Sequence, residues 1–341
     1  MLATVETINE VKTHPNADAL DIVRVLGYEC IVRRGVHVPG ETVVFVQPDT
    51  ILPADRGWAA DLFKYTSKGR VKAARLRGEW SMGIILARRE VEADLTARGI
   101  DWDALHPGDE LGEVLGVVKY EPPLPKNLMA KGGLPFGIPK TDEERWQNLE
   151  ELPFGATVDV TLKIDGSSFT AYCALPGHVA VTEPATGICS RSLELRIEEG
   201  FTNPWIEAAR LTGVLEKLEG YCVANGVSLA LRGEVYGVGC QTAAINPHSR
   251  LPRGVAFFAV WNIAEHHYEW PGSAHHYLRV CQALGLPTVD LIEEGVPLTQ
   301  ELIRRYGDEL EALNGQPFEG VVVKGQGFSF KVMNKYYDSK K

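Results

Sequence analysis

The sequence predicts a small β-barrel followed by an α+β domain with two antiparallel sheets and flanking helices. Short apolar runs separated by Pro, Gly, Asn and Asp occupy residues 1–115, and strands at such spacing are typical of a small barrel. From residue 152, alternating runs that predict strands are interleaved with helical stretches at 203–225 and 299–314. That alternation favours an α+β domain.

The length and the Pro-rich middle predict two domains and a linker. The chain has 341 residues, more than the roughly 100–200 residues of a common domain. The stretch "KYEPPLPKNLMAKGGLPFGIP" is typical of a linker, and "KTDEERWQNLEE" opens with Thr-Asp and acids that favour a short capped helix. We predict domains at 1–118 and 151–341, with the linker and a lead-in helix at 119–150.

The composition is that of a soluble globular protein, with 45% hydrophobic and 23% charged residues. The acidic start, "MLATVETINE", lacks the apolar region of a signal peptide, and no apolar tract is long enough to cross a membrane. Six scattered cysteines show no zinc spacing, and we expect them to be reduced and mostly in the core. We expect a cytoplasmic protein with no membrane association, and the sequence indicates no obligate protein partner.

A basic stripe interrupts an otherwise acidic chain. The net charge is −10, yet "KYTSKGRVKAARLR" (64–77) contains six basic residues and no acid. Such a stripe is typical of a surface that follows a phosphate backbone, although a solvated basic loop is the plain alternative. Its candidate RNA-binding residues are Lys64, Lys68, Arg70, Lys72, Arg75 and Arg77.

The segment "TLKIDGSSFT" (161–170) supports two interpretations. Asp-Gly between two alternating runs predicts a β-hairpin with a type I′ turn. The same residues form a K-x-D-G pattern in which Lys163 would be a nucleophile. The short pattern alone does not discriminate between them.

Further stretches carry charged side chains on predicted strands. "ICSRSLEL" contains Arg191, "LRGEVYGVG" contains Glu234, "EGVVVK" runs from Glu319 to Lys324, and "FSFKVMNK" contains Lys331. A carboxylate in an apolar strand is costly unless a cation or metal accompanies it. Two such carboxylates, Glu234 and Glu319, therefore indicate a shared cation.

These elements, in this order and with "AFFAVWN" around Phe258, resemble the motifs of the covalent nucleotidyltransferases, which include the ATP-dependent ligases and the mRNA capping enzymes. The resemblance implies that Lys163 attacks the α-phosphate of ATP to form lysyl-AMP and pyrophosphate. A lysine with a pKa of about 10.4 is protonated at neutral pH. Lys331 and bound Mg²⁺ or Mn²⁺ would disfavour that charge.

The resemblance also assigns the other candidate residues. Glu234 and Glu319 would lie at the metal, with Asp165 supporting both metal and nucleotide. Phe258 would stack on adenine, and Arg191 would hold phosphate or ribose. Further candidates for nucleotide binding are Gly166 and Lys324. A core role for Phe258 and structural ion pairs for the charged residues are the plain alternatives.

The order of the two domains distinguishes between branches of the covalent nucleotidyltransferases. The strings "HPNADALDIVRVLG" (14–27) and "ARLRGEWSMGIILA" (74–87) resemble the OB-fold domains that bind tRNA beside certain aminoacyl-tRNA synthetases. An OB-fold domain before the catalytic domain, with ten residues after Lys331, resembles a group of RNA ligases. DNA ligases and capping enzymes carry the OB-fold domain after the catalytic domain. "KTDEERWQNL" also looks like RNA ligase sequence, with Arg145 and Gln147 as its contact candidates.

The resemblance implies an enzyme of RNA repair that joins a 3′-OH RNA end to a 5′-phosphate, typically at a nick in a duplex. Alternatives are a DNA ligase, a capping guanylyltransferase, and a non-catalytic RNA-binding protein. Two departures from the family pattern concern the nucleotide site. Leu162 stands where related ligases often have Glu before the nucleophile. The last motif reads Lys331-Val332-Met333 instead of K-x-K, with Lys335 as a candidate substitute for the second lysine.

Overall fold

The computed structural model describes residues 1–120, 129–241 and 243–340. The chain divides into two compact units, Met1–Pro123 and Leu124–Lys341. Residues 121–128 of the predicted linker lie outside the described residues, whereas the described remainder after residue 128 belongs to the second unit. The predicted limits at 118 and 151 stay a prediction.

The first unit consists of short antiparallel sheets and short helices. The described sheets have the strand orders β1-β5-β9, β2-β3-β4, β7-β8 and β10-β6. The strands are β1 (Ala3–Thr7), β2 (Glu10–Thr13), β3 (Leu20–Val25), β4 (Tyr28–Arg33), β5 (Thr42–Val46), β6 (Thr50–Ile51), β7 (Ala74–Leu76), β8 (Glu79–Ser81), β9 (Ile84–Leu86) and β10 (Val118–Lys119). The helices are α1 (Gly57–Ala60), α2 (Arg88–Thr96) and α3 (Gly112–Leu115), with 3-10 turns at Phe63–Tyr65 and Trp102–Ala104.

The second unit contains two larger antiparallel sheets. The described strands have the orders β11-β15-β14-β13-β16-β17-β18 and β19-β12-β20-β21. They are β11 (Ala130–Gly133), β12 (Thr157–Lys163), β13 (Ser167–Ala174), β14 (Ala185–Cys189), β15 (Leu193–Leu195), β16 (Leu229–Tyr236), β17 (Gly254–Asn262), β18 (His267–Tyr268), β19 (Leu291–Pro297), β20 (Gly320–Gly325) and β21 (Phe328–Met333).

Helices cover one face of each large sheet in the second unit. They are α4 (Pro204–Thr212), α5 (Val214–Asn225), α6 (Tyr277–Leu284), α7 (Gln300–Arg304) and α8 (Lys335–Lys340), with a π-helical turn at Arg305–Glu309 and 3-10 turns at Trp146–Asn148 and Pro247–Arg250. Asn203 is the N-cap of α4, and its side chain accepts a hydrogen bond from Ile206 N. Pro204 is the first helical residue, a position that suits proline.

Alternation along the strands separates a core face from a polar face. In β16, Leu229, Leu231 and Val235 are buried in the core that also contains α4, α5 and α6. Arg232 and Glu234 point to the opposite face because successive side chains alternate. In the smaller sheet, Val321 and Val323 of β20 are buried in a second core.

The predicted hairpin at Asp165-Gly166 is absent from the described structure. Strand β12 pairs with β19 and β20, whereas β13 pairs with β14 and β16. The Asp-Gly pair therefore carries the chain from one sheet into the other. A hairpin signal describes local turn preference, and pairing with strands distant in sequence overrides it here.

The predicted lead-in helix is also different. Only Trp146–Asn148 forms a 3-10 turn, and the preceding residues run extended beside β21. Lys331 N donates to Glu144 O at 2.8 Å, and Arg145 forms an isolated parallel β-bridge with Lys331. The backbone of this segment therefore forms hydrogen bonds with the neighbouring strand. A short isolated helix would be only marginally stable by comparison.

All six cysteines have free thiols, and all except Cys240 are buried, as expected from the sequence. Among the described residues, no helix has both the length and the apolar character needed to cross a membrane.

Gly220 in α5 provides a test of the packing. An added Cβ there meets nothing within 4 Å, so Gly220→Ala is expected to raise the free energy of unfolding by about 0.5–1 kcal/mol through helix propensity. At Gly233, the added Cβ would lie 2.9 Å from Ala256 O, so Gly233→Ala should lower the free energy of unfolding. Urea unfolding of both variants measures these changes, and stabilisation by Gly233→Ala would contradict the described packing.

Candidate active site

Lys163 ends β12 at the point where the two large sheets meet. Its Nζ donates to Glu319 Oε2 at 2.5 Å, because Lys163 pairs in register with Gly320, the residue after Glu319. The Glu319 side chain is only 6% exposed and that of Lys163 26%. The pair therefore keeps an amine accessible beside a buried carboxylate.

Two glycines allow the backbone segments next to Lys163 and Glu319 to pack closely against neighbouring strands. A Cβ on Gly166 would overlap the Val235 carbonyl oxygen and lie 2.8 Å from Glu234 Cγ, and a Cβ on Gly320 would overlap the Val332 carbonyl oxygen. Only glycine lets the backbones come so close. The glycine that follows Asp165 and the one that follows Glu319 are thus explained by packing as well as by motif.

Glu234 faces the same region from β16. Burial raises its pKa to about 8; the Lys163 charge opposes this, and Glu319 and Asp165 add to it. The charges of Lys163, Glu319 and Asp165 therefore all act on Glu234. Groups with strongly shifted pKa values are more frequent at functional sites than at ordinary surface positions.

Asp165 is held from two sides. Its carboxylate Oδ2 accepts a hydrogen bond from Tyr337 Oη at 2.8 Å, and its backbone oxygen accepts one from Asn246 Nδ2 at 2.7 Å. Asp165 is 5% exposed and Tyr337 2%. Burial, followed by the Asp165 charge, raises the pKa of Tyr337.

Arg191 and Lys331 converge on one acceptor. Arg191 Nη2 donates to Asp142 Oδ2 at 3.0 Å, and Lys331 Nζ donates to Asp142 Oδ1 at 3.4 Å. Arg191 follows β14 in the larger sheet, and Lys331 lies on β21 in the smaller one. Two cations from different sheets are thus placed to share a single anionic group.

Phe258 lies at a β-bulge. The register between β16 and β17 shifts between the pairs Arg232–Ala259 and Gly233–Phe257, which leaves Phe258 as the extra residue. A bulge redirects side chains. While Phe257 is fully buried in the core, Phe258 is half-buried beside Ile164, Ala256 and Val289.

The remaining candidates on the second unit are buried. Lys324 is 5% exposed, donates to the Phe258 carbonyl oxygen, and lies 5.3 Å from the Phe258 ring centroid and 4.8 Å from that of Tyr277. Burial lowers its pKa to about 8. Arg145 and Gln147 are 4% and 6% exposed. The Lys324 contact joins β20 to β17.

The basic stripe of the first unit is mostly on the surface. Lys64, Lys68, Arg75 and Arg77 are exposed, whereas Lys72 is half-buried. Arg70 pairs with Asp49 at 2.6 Å and lies 3.9 Å from the Tyr120 ring centroid. Tyr65 is 64% exposed among these cations, so an aromatic face is available beside the charges.

The carboxylates fit a divalent cation that arrives with phosphate. Among the described residues, no group of three or more His, Cys, Asp or Glu side chains could hold a metal ion by itself. Asp165, Glu234 and Glu319 do supply oxygen donors around Lys163. Mg²⁺ is commonly held by one or two carboxylates together with substrate phosphates and water.

Comparison with known families decides the affiliation. The RNA ligase family model matches residues 156–336, which is more than half of the chain. The chain belongs to the RNA ligase family. An OB-fold domain model matches residues 2–88, which confirms the predicted amino-terminal fold.

Solved structures of Naegleria gruberi RNA ligase resemble this family member over nearly its whole length. A variant with ATP and Mn has a TM-score of 0.80 at 26% identity, covering 98% of this chain and 97% of that chain. The ligase with PPi gives 0.79 at 28% identity, with 98% and 97% coverage. A variant with AMP and Mn gives 0.79 at 27%, with 100% and 98% coverage. No curated protein matches.

Several residues that contact the predicted site lie outside the sequence motifs. Asp142 lies at the start of the predicted lead-in helix, and its carboxylate accepts hydrogen bonds from Arg191 and Lys331. Asn246 and Tyr337, both bonded to Asp165, belong to no motif. The one signal for Tyr337 was its position six residues after Lys331.

Glu234 gives the ligase domain a pH-dependent stability. A raised pKa means that the folded state holds the proton more tightly, so this stabilisation is present below the ordinary Glu pKa of about 4.3 and lost as pH rises through about 8. Without divalent metal, the free energy of unfolding of the wild type should fall by a few kcal/mol over this range relative to Glu234→Gln. Denaturant unfolding at pH 5 and pH 8 measures this difference, and parallel profiles would contradict it.

Proposed function

We propose that this RNA ligase family member seals RNA nicks with ATP, joining a 3′-OH end to a 5′-phosphate through lysyl-AMP and AppRNA intermediates. The observation that carries the proposal is the placement of Lys163, whose amine lies among Glu319, Glu234 and Asp165 where the two sheets meet. The Naegleria ligase structures with ATP, AMP and PPi support the nucleotide assignment.

In the first step, Lys163 Nζ forms a bond to the α-phosphorus of ATP. The bond from that phosphorus to the oxygen bridging the β-phosphate breaks, and pyrophosphate leaves. Attack requires the neutral amine, and the nitrogen loses one proton as its bond to phosphorus forms. Glu319 Oε2, which accepts a hydrogen bond from Lys163 Nζ at 2.5 Å, is assigned as the acceptor of that proton.

Arg191 and Lys331 are assigned to the phosphates. Because both donate to Asp142 in this structure, they are already close enough to share one phosphate group. The nucleotide would exchange for the Asp142 carboxylate as their partner. Positive charge there offsets the negative charge that phosphoryl transfer concentrates on oxygen.

Asp165, Glu234 and Glu319 are assigned to a divalent cation, Mg²⁺ or Mn²⁺. When bound, such an ion neutralises phosphate charge and polarises the phosphorus centre. The residues themselves contribute oxygen donors and hold Lys163 among them. The Mn present in the Naegleria structures supports this assignment.

Phe258 is assigned to the adenine. The bulge places its half-buried ring beside Ile164, Ala256 and Val289, and an aromatic ring can stack on a flat base. Because Leu162 replaces the acidic residue frequent in related ligases, base selection must depend on main-chain groups and other side chains.

The later steps use the RNA ends. The 5′-phosphate oxygen attacks the lysyl-AMP phosphorus and releases Lys163, giving AppRNA. The 3′-OH then attacks the 5′-phosphorus, forms the phosphodiester and expels AMP. The OB-fold domain is assigned to the RNA through its basic stripe, with recognition by A-form shape and 2′-OH groups.

Covalent labelling tests the first step. With α-labelled ATP and Mg²⁺ or Mn²⁺, the wild type should carry acid-labile label on a denaturing gel, since a phosphoramidate is hydrolysed by acid. Lys163→Ala should carry none. Lys217→Ala, which removes an exposed lysine of α5, is the matched control and should label like the wild type.

The labelling outcomes separate the alternatives. Label from GTP alone would indicate a capping enzyme, and no label from either nucleotide would leave an RNA-binding protein without transferase activity. Sealing of nicked DNA in preference to nicked RNA by a labelled enzyme would indicate a DNA ligase.

The basic stripe predicts salt-dependent RNA binding. Lys64→Gln/Arg75→Gln is expected to weaken binding to a nicked RNA duplex and to reduce the slope of log K against log salt by about 1–2, since each phosphate contact contributes nearly one unit. Lysine labelling should be unchanged. Lys12→Gln/Arg24→Gln removes the same charge outside the stripe, and an equal loss in this control would show that only net charge matters.

A further inference from the structure

The carboxyl-terminal helix α8 reaches the predicted active site through one side chain. Tyr337 lies on this helix, is 2% exposed, and donates from Oη to Asp165 Oδ2 at 2.8 Å. Asp165 belongs to the K-x-D-G segment, 172 positions earlier in the chain. A buried carboxylate requires a donor, and Tyr337 supplies one.

The start of α8 is fixed to the strand that carries Glu319. Asn334 N donates to Glu319 O at 2.9 Å, and Asn334 Nδ2 donates to Leu310 O at 2.7 Å. Asn334 Oδ1 accepts from Tyr337 N at 3.1 Å. Because Asn334, Glu319 and Tyr337 are buried, the Tyr337 backbone has little freedom relative to Glu319.

The backbone of Asp165 is fixed separately. Asn246 Nδ2 donates to Asp165 O at 2.7 Å, and Gln241 Nε2 donates to Gly166 O at 2.8 Å. These two hydrogen bonds involve backbone oxygens and therefore do not restrict rotation of the Asp165 carboxylate about its side-chain torsions. The hydrogen bond from Tyr337 restricts that rotation.

We propose that Tyr337 is a positioning residue that orients the Asp165 carboxylate for nucleotidyl transfer, so that α8 couples Asp165 to Glu319. The proposal rests on the proposed function, since it takes Asp165 as part of the nucleotide and metal site. The phenol donates to one oxygen, Oδ2, and sets the direction of the other. Residues that orient metal-site carboxylates from behind typically affect metal affinity or activity by about 10–100-fold.

Tyr337→Phe tests this with one hydroxyl removed, and Tyr336→Phe is the matched control on the same helix. We expect Tyr337→Phe to lower the labelling rate of Lys163 at saturating ATP by about tenfold or more and to raise the Mg²⁺ concentration for half-maximal rate. The rate should fall by a larger factor than the KM for ATP rises, because Asp165 is assigned to the metal and nucleotide site but not to the base. Tyr336→Phe should label like the wild type.

A binding measurement separates orientation from folding. In the Lys163→Ala background, where no transfer occurs, calorimetric titration of the ATP complex with Mn²⁺ should show affinity weakened by about tenfold or more in Tyr337→Phe. A lower melting temperature with unchanged Mn²⁺ affinity and unchanged labelling would overturn the proposal and leave a structural hydrogen bond only.

Combining substitutions shows whether Tyr337 acts through Asp165. In an Asp165→Asn background, adding Tyr337→Phe should have no further effect on labelling, because the oriented carboxylate is already gone. Full additivity would overturn the proposal. Failure of the wild type to label at all would instead reject the proposed function, so the two failures are distinguishable.

Discussion

The approach of Glu234 to the pair formed by Lys163 and Glu319 depends on how the chain leaves one sheet and enters another. Lys163 ends β12, and Gly166 lets the next strand begin directly against Glu234 of the larger sheet. Any Cβ at position 166 would push this crossing away. The K-x-D-G segment is thus a junction between sheets, and the junction brings Lys163 close to carboxylates of separate strands.

The site concentrates opposing charges in a partly buried space. Glu234 has a raised pKa because burial disfavours its charge, whereas Glu319 is compensated by Lys163 and Asp142 by Arg191 and Lys331. Buried charges that are only partly compensated reduce stability. In the proposed function, the metal ion would compensate the carboxylates and the nucleotide phosphates would compensate Arg191 and Lys331. Nucleotide binding would then stabilise the charged groups of this site.

Much of the fold and of the candidate site could be predicted because the information is local. Alternating apolar residues gave the strands that carry Glu234, Phe258 and Lys331, and the ordered motifs indicated the RNA ligase family that the comparisons show. Of the two interpretations of Asp165-Gly166, the hairpin is wrong, because local turn preference does not report pairing with distant strands. The predicted lead-in helix is wrong for the same reason, since most of this segment is extended and forms hydrogen bonds with the distant strand β21.

The sequence by itself determined the residue types, their order and the strands on which they lie, since these follow from side-chain chemistry and from the twofold period of a strand. Only the tertiary structure decided which groups meet. It placed Asp142 between Arg191 and Lys331, and Tyr337 against Asp165. These partners are far apart in the chain and carry no motif, so only the packing of the two sheets and the last helix brings them within hydrogen-bonding distance.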